Sequence, residues 1–270
     1  MVDRNKFKKD IAVANCFATA LALSVTSVIA PTELHAQETL ELYPVSIGVP
    51  SGFGASSGML FGWVDYTNFD PYTGVEGDDD GSMGLGFGLG DPAETIGLEV
   101  SFSITSVSTG WWGDGVFGDE GYLNLKVHRY VSGLPFASYA SLSFGLDNVV
   151  GWGADTDEYP VNAYVAYSQV SDIQLGNQLL PLDITVGYGS ATADFGTEPG
   201  AFASLGLGLT PSLSAALSRY GDEMNVGIVI FPQSFDFASV GLSYAWDPEQ
   251  HSDTARFIIS LSFLLQPLST

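Results

Sequence analysis

From about residue 58 onward, large apolar side chains alternate with Gly, Ser, Thr, Asn and Ala. In Ile96-Gly97-Leu98-Glu99-Val100-Ser101-Phe102-Ser103-Ile104 every even position is large and apolar, and every odd one is small or polar. That period puts the two sets on opposite faces of an extended strand. It recurs in segments near 58–66, 81–89, 94–105, 120–131, 136–149, 160–170, 181–191, 200–209, 212–220, 223–231, 235–246 and 254–265, with no helical stretch between them. Most are as long as a tilted strand must be to cross a bilayer, about 9–11 residues. An even number of strands leaves both ends of the chain on one side. The pattern predicts an all-β fold, a transmembrane up-and-down antiparallel β-barrel of about 12 strands over 58–265.

Short hairpins test the faces. The Gly221-Asp222 turn pairs Leu217 with Val226 and Ala215 with Ile228, apolar against apolar. Symmetric pairing across 132–135 sets Val127 against Ala140, and across 90–93 sets Phe87 against Ile96. A slip of one residue would invert every such match. Odd-numbered connections are mostly long and even-numbered ones mostly short, the asymmetry of outer loops and periplasmic turns. The sixth connection, which reads as too long, and the ninth, Gly221-Asp222, break the rule. The odd connections also hold most loop carboxylates, among them Asp70, Glu76, Asp155, Asp194, Asp222 and Asp247. Near the same strand ends stand Trp63, Trp111, Trp112, Trp152, Tyr188, Tyr220 and Trp246. They are the expected membrane-interface aromatics, because such rings favour the headgroup level.

The small face decides which side is outside. It carries almost no Lys or Arg to solvate it, as a soluble sandwich would require. Glycines and hydroxyls suit a crowded, partly hydrated lumen, and large apolar side chains suit lipid. On the presumed lumen face lie Glu99, Lys126, His128, Asp147, Asp183 and Arg256. Glu99 falls opposite Lys126 if strands three and four pair symmetrically. These six are candidates for either a selectivity constellation or structural ion pairs bracing the lumen. Catalytic residues are not expected: beyond residue 36 the histidines are His128 and His251, and no Gly-x-Ser-x-Gly or His-Glu-x-x-His motif occurs.

The N-terminus changes the compartment. Arg4, Lys6, Lys8 and Lys9 precede an apolar run over 11–30, and Leu34-His35-Ala36 offers a cleavage position. This predicts a secretory signal peptide over 1–36, then a Pro- and Gly-punctuated periplasmic lead over 37–57 and a tail over 266–270. Removing the signal takes four of eight basic residues and three of 31 acidic ones, leaving 28 acids against four bases. Such a balance excludes nucleic acid as a partner. Cys16, the one cysteine, lies in the signal, so no disulfide supports the mature chain. Asp78-Asp79-Asp80 imitates part of a calcium loop, but Phe87 stands where the bidentate Glu belongs. No resident cofactor is expected; a loose Ca²⁺ or Mg²⁺ site at these aspartates, bridging to lipopolysaccharide phosphates, is the metal expectation.

The last strand, Arg256-Phe257-Ile258-Ile259-Ser260-Leu261-Ser262-Phe263, resembles the terminal signal read by the barrel-insertion machinery, with Ile258 where that signal prefers Gly. Two further parts resemble YjbH-type outer-membrane barrels associated with exopolysaccharide production. They are Ile47-Gly48-Val49-Pro50-Ser51 with Gly58-Met59-Leu60-Phe61-Gly62, and Thr210-Pro211-Ser212-Leu213 with Tyr220-Gly221-Asp222 and Asn225-Val226-Gly227. The likeness implies a role accessory to polysaccharide export and carries over no site residue. The outer-membrane phospholipase shares the strand number, yet its Ser–His pair faces lipid, whereas His128 is inward by parity. The residues themselves imply a narrow passive porin-like channel for small cationic or neutral solutes, surrounded by outer-membrane lipid and lipopolysaccharide. The alternative is a non-conducting structural or interaction barrel.

Overall fold

The computed structural model describes residues 45–68, 80–105, 118, 120–134, 137–153, 160–194, 196–235, 237–248 and 255–265. The signal segment, the first part of the lead, Asp78, Asp79, Trp111, Trp112 and the tail lie outside them. Twelve strands form: β1 (Leu60–Thr67), β2 (Asp80–Gly90), β3 (Gly97–Ile104), β4 (Gly121–Tyr130), β5 (Tyr139–Trp152), β6 (Asn162–Leu175), β7 (Gln178–Ala193), β8 (Glu198–Thr210), β9 (Leu213–Tyr220), β10 (Glu223–Ile230), β11 (Ala238–Trp246) and β12 (Arg256–Leu265). Each pairs antiparallel with its neighbours in sequence, and β1 pairs with β12, so the sheet is a closed up-and-down barrel without an edge.

Polarity is inverted relative to a water-soluble protein. Val64, Leu85, Phe102, Val127, Phe144, Val165, Val186, Leu205, Leu217, Ile228, Leu242 and Ile259, one from each strand, are all exposed. Serines, asparagines and charged groups on the alternate positions are buried. Register makes the outer set continuous: Leu85 stands opposite Phe102, Phe144 opposite Val165, Leu205 opposite Leu217 and Leu242 opposite Ile259. An apolar girdle around a whole barrel far exceeds the few hundred Å² that soluble monomers expose.

Two hairpins differ from the symmetric reading while keeping its faces. Phe87 pairs with Val100 rather than Ile96, and Val127 with Phe144 rather than Ala140. In the first case Asp91 organises a longer turn. Its carboxylate accepts from the Ala93 and Glu94 N–H groups, and its carbonyl accepts from Thr95 N–H. The first rung of β3 is therefore Gly97 opposite Gly90. The sixth connection is not long at all. β6 and β7 stay paired down to Leu175 opposite Gln178, leaving Gly176-Asn177 as the turn. Pro181 sits in the ladder opposite Asp172, on a part of the hairpin with which neither flanking strand pairs.

Several large aromatics break the rule that bulk points outward. Phe61, Trp63, Tyr122, Tyr164, Phe202 and Tyr220 are buried. Most stand directly opposite a glycine: Phe61 opposite Gly86, Trp63 opposite Gly84, Tyr164 opposite Gly145 and Phe202 opposite Gly187. Each ring lies over the bare backbone of its partner, a cross-strand aromatic–glycine fit. A Cβ on Gly84 would stand 2.1 Å from Trp63 Cζ2. Gly84→Val is thus expected to cost about 1–3 kcal/mol by overpacking and to move Trp63. A lowered urea midpoint together with altered tryptophan emission checks it, and unchanged emission would contradict the fit. The expectation that Trp63 and Tyr220 are interface aromatics is corrected here. Trp63 stacks on Phe61 inside the wall, and Tyr220 packs with Val49, Tyr164, Ala166 and Phe202.

Candidate functional site: the occupied lumen

The wall is lined by small residues, and what fills the space between them is the chain itself. A wall of twelve strands about 4.8 Å apart, tilted about 40°, has a backbone radius of roughly 12 Å. One layer of side chains takes about 5 Å of that, so an unfilled bore would be about 14 Å wide. Residues 45–57 run through it. The lead was expected in the periplasm, but this part is inside: Val45, Val49, Phe53 and Ala55 are buried. The reason is local composition. Val-Ser-Ile-Gly-Val-Pro-Ser-Gly-Phe-Gly-Ala alternates apolar groups with glycines and hydroxyls, so it can lie against a wall of the same character on every side.

The strap touches the inner faces of successive strands. Ser46 Oγ donates to Asp183 on β7 and, at 3.1 Å, to Thr185. A Cβ on Gly206 of β8 would meet the Val45 carbonyl oxygen at 1.9 Å, so any side chain there collides with the strap. Val45 and Ile47 pack on Ala216 and Val229 of β9 and β10. Gly52 N–H donates to Ser168 Oγ on β6 at 2.8 Å, and Ser143 Oγ on β5 donates to the Ser51 carbonyl at 3.0 Å. Ala55 is held from two sides. Its N–H donates to Glu99 Oε2 at 2.8 Å, and its carbonyl lies 3.0 Å from His128 Nε2. Glu99 meanwhile pairs with Lys126, Nζ to Oε1 at 3.0 Å, directly opposite in the β3–β4 register.

All six lumen candidates are buried on the inner face, and they divide into three places. Glu99, Lys126 and His128 grip the strap near the even connections. Asp183 grips it three strands further round the wall, on β7. Asp147 lies toward the odd connections, where Asn162 Nδ2 donates to it at 3.3 Å and to Tyr220 at 3.1 Å. Arg256 pairs with Glu223 at 2.8 Å. Reading the sequence missed Glu223, Asp65, which accepts from Ser82, and Ser46, Ser51 and Ser168. Parity alone would have placed Asp65 and Glu223 inward. The serines could be found only from the strap's path. Among the other aromatics, Trp152 is partly exposed and donates from Nε1 to the Gly118 carbonyl, Tyr188 is exposed, and Trp246 stacks on Tyr244. The backbone of Asp80 lies in β2. Among the described residues no group of three or more His, Cys, Asp or Glu is placed to hold a metal.

The sequence matches no known family and no curated protein, so the YjbH-type resemblance gains no support from comparison. Solved structures similar in shape include the outer membrane protein Omp33 of Acinetobacter baumannii, at 10% identity and a TM-score of 0.41 over 77% of this chain and 96% of that one. A KdgM porin in complex with disordered oligogalacturonate matches at 6% identity and a TM-score of 0.44, over 76% and 98%. The COG4313 outer membrane channel from Pseudomonas putida F1 matches at 13% identity and a TM-score of 0.42, over 88% and 100%. At these identities no side chain acquires a role from them, and the chemistry of the lumen stands on its own residues.

Proposed function

We propose that the protein is a porin-like barrel of a bacterial outer membrane, whose lumen favours small cations or neutral solutes over anions. One observation carries this reading: an apolar girdle encloses an interior where Asp65, Glu99, Asp147, Asp183 and Glu223 outnumber Lys126 and Arg256. Carboxylates lining a narrow passage raise the local concentration of cations and repel anions. Purified mature protein is expected to need detergent, and in planar bilayers under a KCl gradient any current should reverse on the cation side. A product that stays soluble without detergent removes the membrane reading, and reversal on the anion side overturns the charge argument.

A second reading, a non-conducting structural or interaction barrel, is favoured by the strap that fills the lumen. Conductance separates the two. Neither reading uses a catalytic group.

A further inference from the structure

We propose that residues 45–57 are a separable plug, and that the barrel conducts when they leave the lumen; this rests on the porin-like reading above. The first ground is that the wall is complete without them. Every strand from β1 to β12 has two ladder neighbours. Among the described residues the strap's ladder contacts are confined to its end, where Ser57 bridges Gly88 and donates to the Gly90 carbonyl. Withdrawal therefore breaks no strand pairing of the barrel.

The second ground is the kind of bond that holds it. Strap backbone groups are satisfied by wall side chains rather than by a sheet: Gly52 N–H by Ser168, Ala55 N–H by Glu99, the Ser51 carbonyl by Ser143 and the Ala55 carbonyl by His128. Serine, carboxylate and ammonium groups are what water solvates well, so the emptied wall would hydrate rather than collapse. Val45, Ile47, Val49 and Phe53 make the seated position the stable one. Size agrees as well: an extended chain with its side chains is about 10 Å across, so it fits inside a bore of about 14 Å. Gly58, at a φ of 85°, joins the strap to β1 and provides the pivot.

The test uses the cysteine-free mature chain. Ser51 and Ser168 hydroxyl oxygens lie 3.3 Å apart, so Ser51→Cys with Ser168→Cys can tether the strap to β6 by a disulfide. In planar bilayers, deletion of 45–56 should give a steady current at least about ten times that of the full-length protein, the expected result of clearing a filled bore. The oxidised double-cysteine protein should be silent, and reductant should restore the full-length level. Should the deletion fail to fold, Gly206→Leu takes its place, because leucine there overlaps the Val45 carbonyl and must dislodge the strap. An oxidised protein that conducts like the full-length chain overturns the plug and leaves the porin-like reading intact. Folded deletion and Gly206→Leu proteins that both stay silent, with the full-length chain silent too, overturn both.

Discussion

Lys126→Met is expected to destabilise the folded barrel by about 3–5 kcal/mol, the cost of leaving one member of a buried ion pair without its partner. Methionine nearly preserves the volume of lysine, so the loss is electrostatic rather than a cavity. Both side chains of the pair are 2–3% exposed, and Glu99 keeps only the Ala55 N–H once the ammonium is gone. Adding Glu99→Gln removes the stranded charge and retains an acceptor for Ala55. The double variant should therefore be more stable than Lys126→Met alone, which is the opposite of additive loss. Urea unfolding from lipid vesicles measures both. A single-variant cost below about 1 kcal/mol is what a solvent-screened pair would show. That result would mean the strap does not keep this part of the lumen dry.

Leu205→Arg carries the next largest effect, and it reports on the other face. Leu205 lies mid-way along β8, is half exposed, and pairs with Ile184 and Leu217 in an unbroken apolar band. An arginine on the lipid face near the bilayer midplane costs about 2–4 kcal/mol. On a water-facing wall the same change would stay within about 0.5 kcal/mol. Equilibrium folding into vesicles distinguishes these values. A near-zero cost would reverse the orientation on which the porin-like reading depends.

These expectations rest on features that were legible to different degrees. Face assignment needed only the two-residue period, which is why Leu205 and Lys126 could be placed on opposite sides of the wall before any pairing was known. The Glu99–Lys126 match followed from symmetry about one loop. The β9–β10 register followed from the Gly221-Asp222 turn, but that of β2 with β3 did not, because Asp91 winds its turn further than a minimal hairpin does, and the shift that results preserves parity and leaves no trace in the pattern. Pro181 in β7 is a separate case. A proline argues against a central strand, but the end of the β6–β7 hairpin runs past its neighbours and asks less of its backbone N–H groups.

Trp63 and Tyr220 show where the size rule fails. A large ring points inward when the residue across the ladder is glycine or when the strap offers a partner such as Val49, and neither condition is visible without the register. The alternation of large and small residues, with a small face almost free of Lys and Arg, determined by itself that this chain forms a closed antiparallel barrel rather than a soluble sandwich. The sequence also determined the acidic character of the odd-numbered connections. Only the tertiary structure decided that the interior is occupied. A twelve-stranded wall of small residues leaves a bore wide enough to admit one extended chain, and 45–57 is a segment whose backbone the facing serines, Glu99 and His128 can satisfy. Local periodicity has no information about that fit, because it depends on the circumference of the whole sheet.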